Sequence, residues 1–187
     1  GMDSEVLNHV TSANIACGWH AGDPLIMDAT VRICKEKGVA IGAHPGYPDL
    51  MGFGRRAMAV NPAEAKAYMV YQLGALQAFC DSYDISLQHM KLHGAFYNTA
   101  CVTPVLADAI LDGLQAVKSN IAAMVLSGSY IAQEAQRRGI PVIQEVFADR
   151  GYTEKGTLVP RTEEGAFIKD PQEALDRVLM MVTKGKV

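Results

Sequence analysis

At 187 residues the chain is long enough for one domain with a sizeable hydrophobic core. Its 17 basic and 20 acidic residues leave a net charge of −3 with no basic block or stripe, which argues against a nucleic-acid partner. No apolar run approaches the roughly 20 residues that span a bilayer and no signal-peptide pattern opens the chain, so no membrane partner is expected.

The apolar spacing of Val6, Leu7 and Val10 predicts a short helix over Asp3 to Val10. A strand over Ser12 to Ala16 follows. Asp23-Pro24 then sets a capping carboxylate before a Pro at the first helical position, starting a helix that runs to about Lys37 and stops at Gly38. The apolar Val39 to Ala43 reads as a buried strand, and Gly42 to Arg56, with its glycines and prolines, reads as a loop. Asn61-Pro62, Thr103-Pro104 and Asp170-Pro171 repeat the helix-start device, with Glu64 and Glu173 spaced to complete capping boxes. Strands are expected at Ser86 to Leu92, Ala122 to Ser127 and Pro141 to Phe147, and a helix over Tyr130 to Arg138, ended by Gly139 and Pro141. Strand and helix alternate throughout, and the strands are too continuously apolar to be half-exposed. Parallel strands covered by helices are therefore the expected α/β architecture.

Four strand-end loops hold nearly all the unusual polar groups. The first, residues 14–23, carries Asn14, His20 and Asp23; His20 can serve as base or metal ligand, whereas Asp23 is explained as a helix cap. The second carries His44, Asp49 and the adjacent Arg55 and Arg56, a pair suited to carboxylate or phosphate. In the third, strand alternation puts His89, Lys91 and His93 on one side, followed by Asn98. Lys91 is a candidate anion clamp and His93 a candidate acid or base, while His89 reads equally as a structural histidine. The fourth carries Glu145, Asp149 and Arg150, with Arg161 beyond; its carboxylates fit either general-base work or a structural ion pair.

Adjacent strands would bring His20 and His44 together as half of a metal site, for which Asp49 is an available third ligand. No phosphate-binding P-loop, nucleophile elbow or dinucleotide fingerprint occurs. The four cysteines form no C-x-x-C pair or disulfide framework, so free thiols and a cytoplasmic setting are expected.

Four stretches in order, S-A-N-I-A-C-G-W-H-A-G-D-P, G-A-H-P-G-Y-P-D-L-M-G-F-G-R-R, Q-H-M-K-L-H-G-A-F-Y-N and E-V-F-A-D-R-G-Y, resemble the LamB/YcsF family. Trp19 stands where the family more often has Phe, and Leu92 where it has Pro. The resemblance implies a (β/α) barrel of the glycoside hydrolase/deacetylase type, over residues 1–187 as a single domain. The acidic first strand and the C-x-H-G-D segment usual in the family have no counterpart here, so the barrel is expected to be incomplete in this chain. It further implies the A subunit of an ATP-dependent 5-oxoprolinase acting with B and C subunits. ATP with Mg2+ belongs to the same expectation; a divalent metal is the one that His20 and His44 would hold, and self-association is left open. On that basis His20, His44, Lys91, His93, Glu145 and Asp149 are the candidate catalytic residues. Asn14, Arg55, Arg56, Asn98, Arg150 and Arg161 are the candidates for binding substrate or phosphate. Two other functions fit the residues: a metal-dependent deacetylase or amidohydrolase acting alone, and a non-catalytic scaffold subunit.

Overall fold

Five parallel strands lie side by side in chain order: β1 (Ser12–Ala16), β2 (Ala40–His44), β3 (Leu87–Met90), β4 (Ala122–Leu126) and β5 (Val142–Glu145). The structure is a computed structural model and describes residues 5–117 and 120–185. Helices α1 (Pro24–Lys37), α2 (Pro62–Ser82), α3 (Gly94–Val102), α4 (Pro104–Val117), α5 (Tyr130–Arg137) and α6 (Pro171–Lys184) connect and cover the strands. A doubly wound sheet reverses its strand order at a switch point. This sheet does not; its order is the progression of a (β/α) barrel, and among the described residues it stays open between β1 and β5.

Local chemistry explains the boundaries. The Asp23 carboxylate accepts the Leu25 and Ile26 N–H groups at the start of α1, and Gly38 ends that helix in the left-handed conformation at φ 68°. Asn61 and Glu64 form a complete capping box on α2. At α6, Asp170 accepts the N–H of Gln172. The most extensive helix packing among the described residues is α2 against α4. A Cβ at Gly113 would lie 2.6 Å from Met69 Cβ, so only glycine permits that approach. Between sheet and helices, Ile41, Met69, Leu73, Leu76, Met90, Ile110 and Leu114 form a buried core. The four cysteines are buried thiols, and burial pushes that of Cys17 up to about 12.

Three expectations change. Of the helix expected over 3–10, residues 5 and 6 are helical and a turn follows at 7 and 8, while its start at Asp3 lies outside the described residues. Strand β2 extends to His44, so the loop begins at Pro45 rather than at Gly42. Gly94 to Val102 is helix α3, not part of a strand-end loop. That helix has no polar side-chain cap; Gly94 at φ 57° turns the chain from strand to helix. The apolar pattern Phe96, Tyr97, Ala100 and Cys101 carries the helical period without a start signal.

One face of the sheet holds a polar layer. Asn14, Gly42 and His89 stand in register across β1, β2 and β3. His89 is fully buried, its Nε2 lying 2.7 Å from Asn14 Oδ1 and its Nδ1 3.1 Å from the Gln88 carboxamide. A neutral ring donates to one of these carboxamides and accepts from the NH2 group of the other, which makes His89 the structural histidine of the two readings. Its ring reaches β1 by crossing β2 where Gly42 has no side chain, and a Cβ there would collide with the imidazole. Gly42→Ala should therefore cost about 3 kcal/mol in urea unfolding, combining overpacking with loss of a buried hydrogen bond. Asn61→Ala, which removes only a helix cap, should cost about 1 kcal/mol. Equal effects would contradict this account of Gly42.

Candidate active site

The loop from Pro45 to Arg56 folds back over the carboxyl ends of β1, β2 and β3, held from two sides. From α2, the buried Gln72 uses both ends of its carboxamide on Gly46: Oε1 accepts the Gly46 N–H at 2.9 Å and Nε2 donates to the Gly46 carbonyl at 2.9 Å. Within the loop, buried Asp49 accepts the Gly52 N–H at 2.9 Å and the Arg56 Nε–H at 3.0 Å, while Arg56 Nη2 also pairs with it. Phe53 is held at φ 53°, an uncommon conformation for a side-chain-bearing residue. The Phe53 carbonyl accepts from His93 Nε2 at 2.7 Å.

Beneath this loop three imidazoles meet. His20 follows β1, His44 ends β2, and His93 follows β3, where its N–H continues the strand pairing onto the Pro45 carbonyl at 2.8 Å. The His20 and His93 rings stack in parallel with centroids 3.8 Å apart, and His44 meets both edge-on. His44 Nδ1 donates to the Lys91 carbonyl at 2.6 Å. Burial, with repulsion from His93, lowers His20 to about 4. Burial is also the main cause that lowers His44 to about 3 and brings His93 below the usual range. All three rings are thus neutral near pH 7, the form that accepts protons and binds metals.

Beside the histidines opens a cavity of about 400 Å³. Lys91 stands in its wall, paired with Glu145 at the end of β5 and 5.3 Å from the centre of the Phe147 ring. Tyr97 donates its hydroxyl to the other Glu145 oxygen at 3.0 Å, and burial raises the pKa of that phenol. Glu145 is thereby fixed by an ammonium and a phenol. Arg55, Asn98, Arg150 and Arg161 complete the polar lining. An ammonium and three guanidinium groups around one half-open cavity suit an anionic ligand.

The structure thus brings His20, His44, Lys91, His93 and Glu145 to one place, with Arg55, Asn98, Arg150 and Arg161 around it. Other residues stand apart. Arg56 is engaged with Asp49, and Asp49 with Arg56 and the loop backbone, so His93 occupies the position beside His20 and His44. Asn14 is taken up by His89. Asp149 is exposed and is not among the cavity-lining residues. Arg150 is 5 % exposed and donates to the carbonyls of Ala166 and Val159, which ties the segment after β5 together. Sequence reasoning missed Gln72 and Tyr97. A glutamine on the buried face of α2, between Met69 and Leu73, was a readable signal for the first. Tyr97 was hidden by the uncapped start of α3.

Sequential parallel β/α units with polar groups gathered at the carboxyl ends of the strands define a barrel-type enzyme scaffold. The chain belongs to the LamB/YcsF family, whose model matches residues 1–187. It is 62% identical, over all 187 residues and 73% of the relative's length, to a Fusobacterium nucleatum protein that is named as the A subunit of 5-oxoprolinase. A Pyrococcus abyssi protein of the same name is 51% identical over the same 187 residues and 73% of its own length. The crystal structure of a lactam utilization protein from Thermus thermophilus superposes with a TM-score of 0.90 at 45% identity, covering 100% of this chain and 76% of that one.

The Asp49 clamp gives a pH test. Hydrogen bonds from Arg56 first, then from backbone N–H groups, pull the carboxyl from 3.8 to about 2. A folded-state value below the unfolded one means that the stabilisation is full above the unfolded value and is lost as pH falls through the folded one. Between about pH 5 and about pH 2 the wild-type denaturant midpoint should fall more steeply than that of Asp49→Asn. Parallel curves would remove the clamp from the stability of the loop.

Proposed function

We propose that this chain is the A subunit of an ATP-dependent 5-oxoprolinase, opening the lactam of 5-oxoproline to L-glutamate together with B and C subunits. The observation that carries the reading is the cationic cavity with neutral His44 and His93 at its wall and the Lys91–Glu145 pair beside them. The names of the relatives support it.

A five-membered lactam is an unactivated amide, and water does not open it readily. Transfer of the terminal phosphoryl group of ATP to the lactam oxygen releases ADP and makes the ring carbon electrophilic. Water adds to that carbon, the ring C–N bond breaks to leave the amine, and a second water releases phosphate. The substrate carboxylate and the phosphoryl oxygens both need cationic partners. In this reading Lys91, Arg55 and Arg161 supply them, with Arg150 holding the wall, Asn98 donating to substrate, and Mg2+ accompanying ATP. His44 and His93, with His20 stacked behind, act on the attacking water, by proton transfer or through a metal that they hold. Glu145, oriented by Tyr97, fixes the Lys91 ammonium. Arg56, Asp149 and Asn14 have no contact with substrate. The loop that roofs the site also offers a docking surface for a partner: at its tip Leu50 is 67% and Met51 92% exposed.

The three-histidine cluster favours a second reading, a metal-dependent amidohydrolase that works without ATP. In the complete enzyme with its partner subunits, Lys91→Ala or His93→Ala should lower glutamate release by at least about 100-fold. Near-normal turnover would sink the assignment, and hydrolysis of an N-acetylated substrate without ATP would favour the second reading. Leu50→Asp with Met51→Asp should weaken co-elution with the partner subunits on size exclusion while leaving the thermal midpoint of the isolated protein unchanged. Unaltered co-elution would place the partner elsewhere.

A further inference from the structure

The ring nitrogens of His44 and His93 present a conflict that the chain does not resolve. A carbonyl oxygen only accepts, so His44 Nδ1, 2.6 Å from the Lys91 carbonyl, carries the hydrogen of that ring. By the same reasoning His93 Nε2, 2.7 Å from the Phe53 carbonyl, carries the hydrogen of its own. In the neutral rings His44 Nε2 and His93 Nδ1 are then both bare, and they lie 3.0 Å apart. Two lone pairs at that separation repel one another unless a positive centre joins them. A shared proton would satisfy this pair alone. It would leave a third nitrogen unexplained, because His20 Nδ1 is buried with no hydrogen-bond partner, in a residue only 2 % exposed. One donor nitrogen from each ring lies within 4.8 Å of the other two.

We propose that His20, His44 and His93 are the protein ligands of a transition-metal ion of the Zn2+ class, whose remaining coordination positions open toward the Lys91 cavity. A single cation accounts for both bare nitrogens and for the orphan on His20. Neutral imidazoles are donors for Zn2+, Co2+ or Ni2+, whereas Mg2+ selects oxygen ligands, so this ion is distinct from the cation that accompanies ATP. The carbonyls of Lys91 and Phe53 act as the outer partners that fix ring orientation and tautomer, as is general for metal-binding histidines. Around a tetrahedral ion with bonds of about 2.0–2.1 Å, ligand nitrogens stand about 3.3 Å apart. The His44–His93 pair is already near that spacing, and the His20 ring, with no hydrogen bond on Nδ1, is able to turn toward it. The roof allows this only because it lacks side chains: a Cβ at Gly46 would lie 2.7 Å from His20 Nδ1, and one at Gly54 would lie 2.8 Å from His93 Cδ2. Two of the three ligands line the cavity, which is the arrangement of a catalytic rather than a closed structural zinc site. When bound, such an ion supplies a Lewis acid for a carbonyl or phosphoryl oxygen.

The site stands independently of the lactam reading, and its test does not use turnover. The full-length protein, freed of metal with a chelator, should take up one equivalent of Co2+ with the visible absorption of a nitrogen-ligated site, and Zn2+ but not Mg2+ should displace it. His20→Gln, His44→Gln and His93→Gln should each weaken that uptake by at least about 10-fold, while His9→Gln, at an exposed position, should leave it unchanged. Since a histidine variant can fail by unfolding, the wild-type thermal midpoint is measured as well, and it should rise with Zn2+ through preferential binding to the folded state. No stoichiometric uptake by the folded wild type would overturn the proposal. So would equal uptake by folded variants, or a strongly downfield N–H proton shared by His44 and His93 that persists at saturating Zn2+.

Discussion

The candidate site depends on backbone coming closer to imidazole than any side chain would permit. The loop from Pro45 to Arg56 crosses the His20–His93 stack at Gly46 and Gly54, and at both points a Cβ would fall within van der Waals contact of a histidine ring. That proximity lets the Phe53 carbonyl reach His93 Nε2 and set the tautomer of the ring. It also requires restraint, because glycines add conformational entropy to the unfolded chain. Gln72 and Asp49 provide it: Gln72 holds both the N–H and the carbonyl of Gly46 from α2, and Asp49 gathers the Gly52 N–H and the Arg56 side chain. The loop is tied by hydrogen bonds where it touches the histidines and is apolar at its exposed tip.

A second consequence concerns the face of the sheet that bears the polar groups. Residues two apart along the third strand and its extension, His89, Lys91 and His93, share that face but not one fate. His89 lies deep in the sheet, where Gly42 opens a passage to Asn14, and both of its nitrogens have protein partners. Lys91 and His93 lie at the mouth, where their neighbours are Glu145 and His44. The difference is one of depth. A group inside a sheet must satisfy its hydrogen bonds within the protein, while one at the strand ends can leave valence for a ligand.

Much of the framework was legible in the sequence because its signals are local. Asp23-Pro24, Asn61-Pro62, Thr103-Pro104 and Asp170-Pro171 mark the starts of four helices, and alternation of strand and helix implied the parallel sheet. Helix α3 was not legible, since Gly94 starts it without a capping side chain and the neighbouring histidine and lysine made the stretch look like a loop. At the site, His20, His44, Lys91, His93 and Glu145 could be singled out by residue type at strand ends. Their pairing could not. Nothing local distinguishes Arg55, which lines the cavity, from Arg56, which is claimed by Asp49; the difference arises from a turn between residues 49 and 54 in which Phe53 adopts a left-handed conformation.

The Lys91–Glu145 pair joins these two levels of organisation. It spans from the third strand's extension to the end of the fifth, so it forms only when the sheet has assembled through β4. A half-buried ion pair contributes little net stability once desolvation is counted, and Tyr97, from the helix without a cap, supplies Glu145 with its remaining hydrogen bond. Its value to the molecule is therefore positional. The pair holds an ammonium beside a neutral imidazole cluster, with an aromatic ring on one flank and guanidinium groups across the cavity. The charge at the wall is fixed by β5, whereas the neutral nitrogens are fixed by the glycine loop, so the two halves of the site are set by different parts of the chain and meet only in the folded sheet.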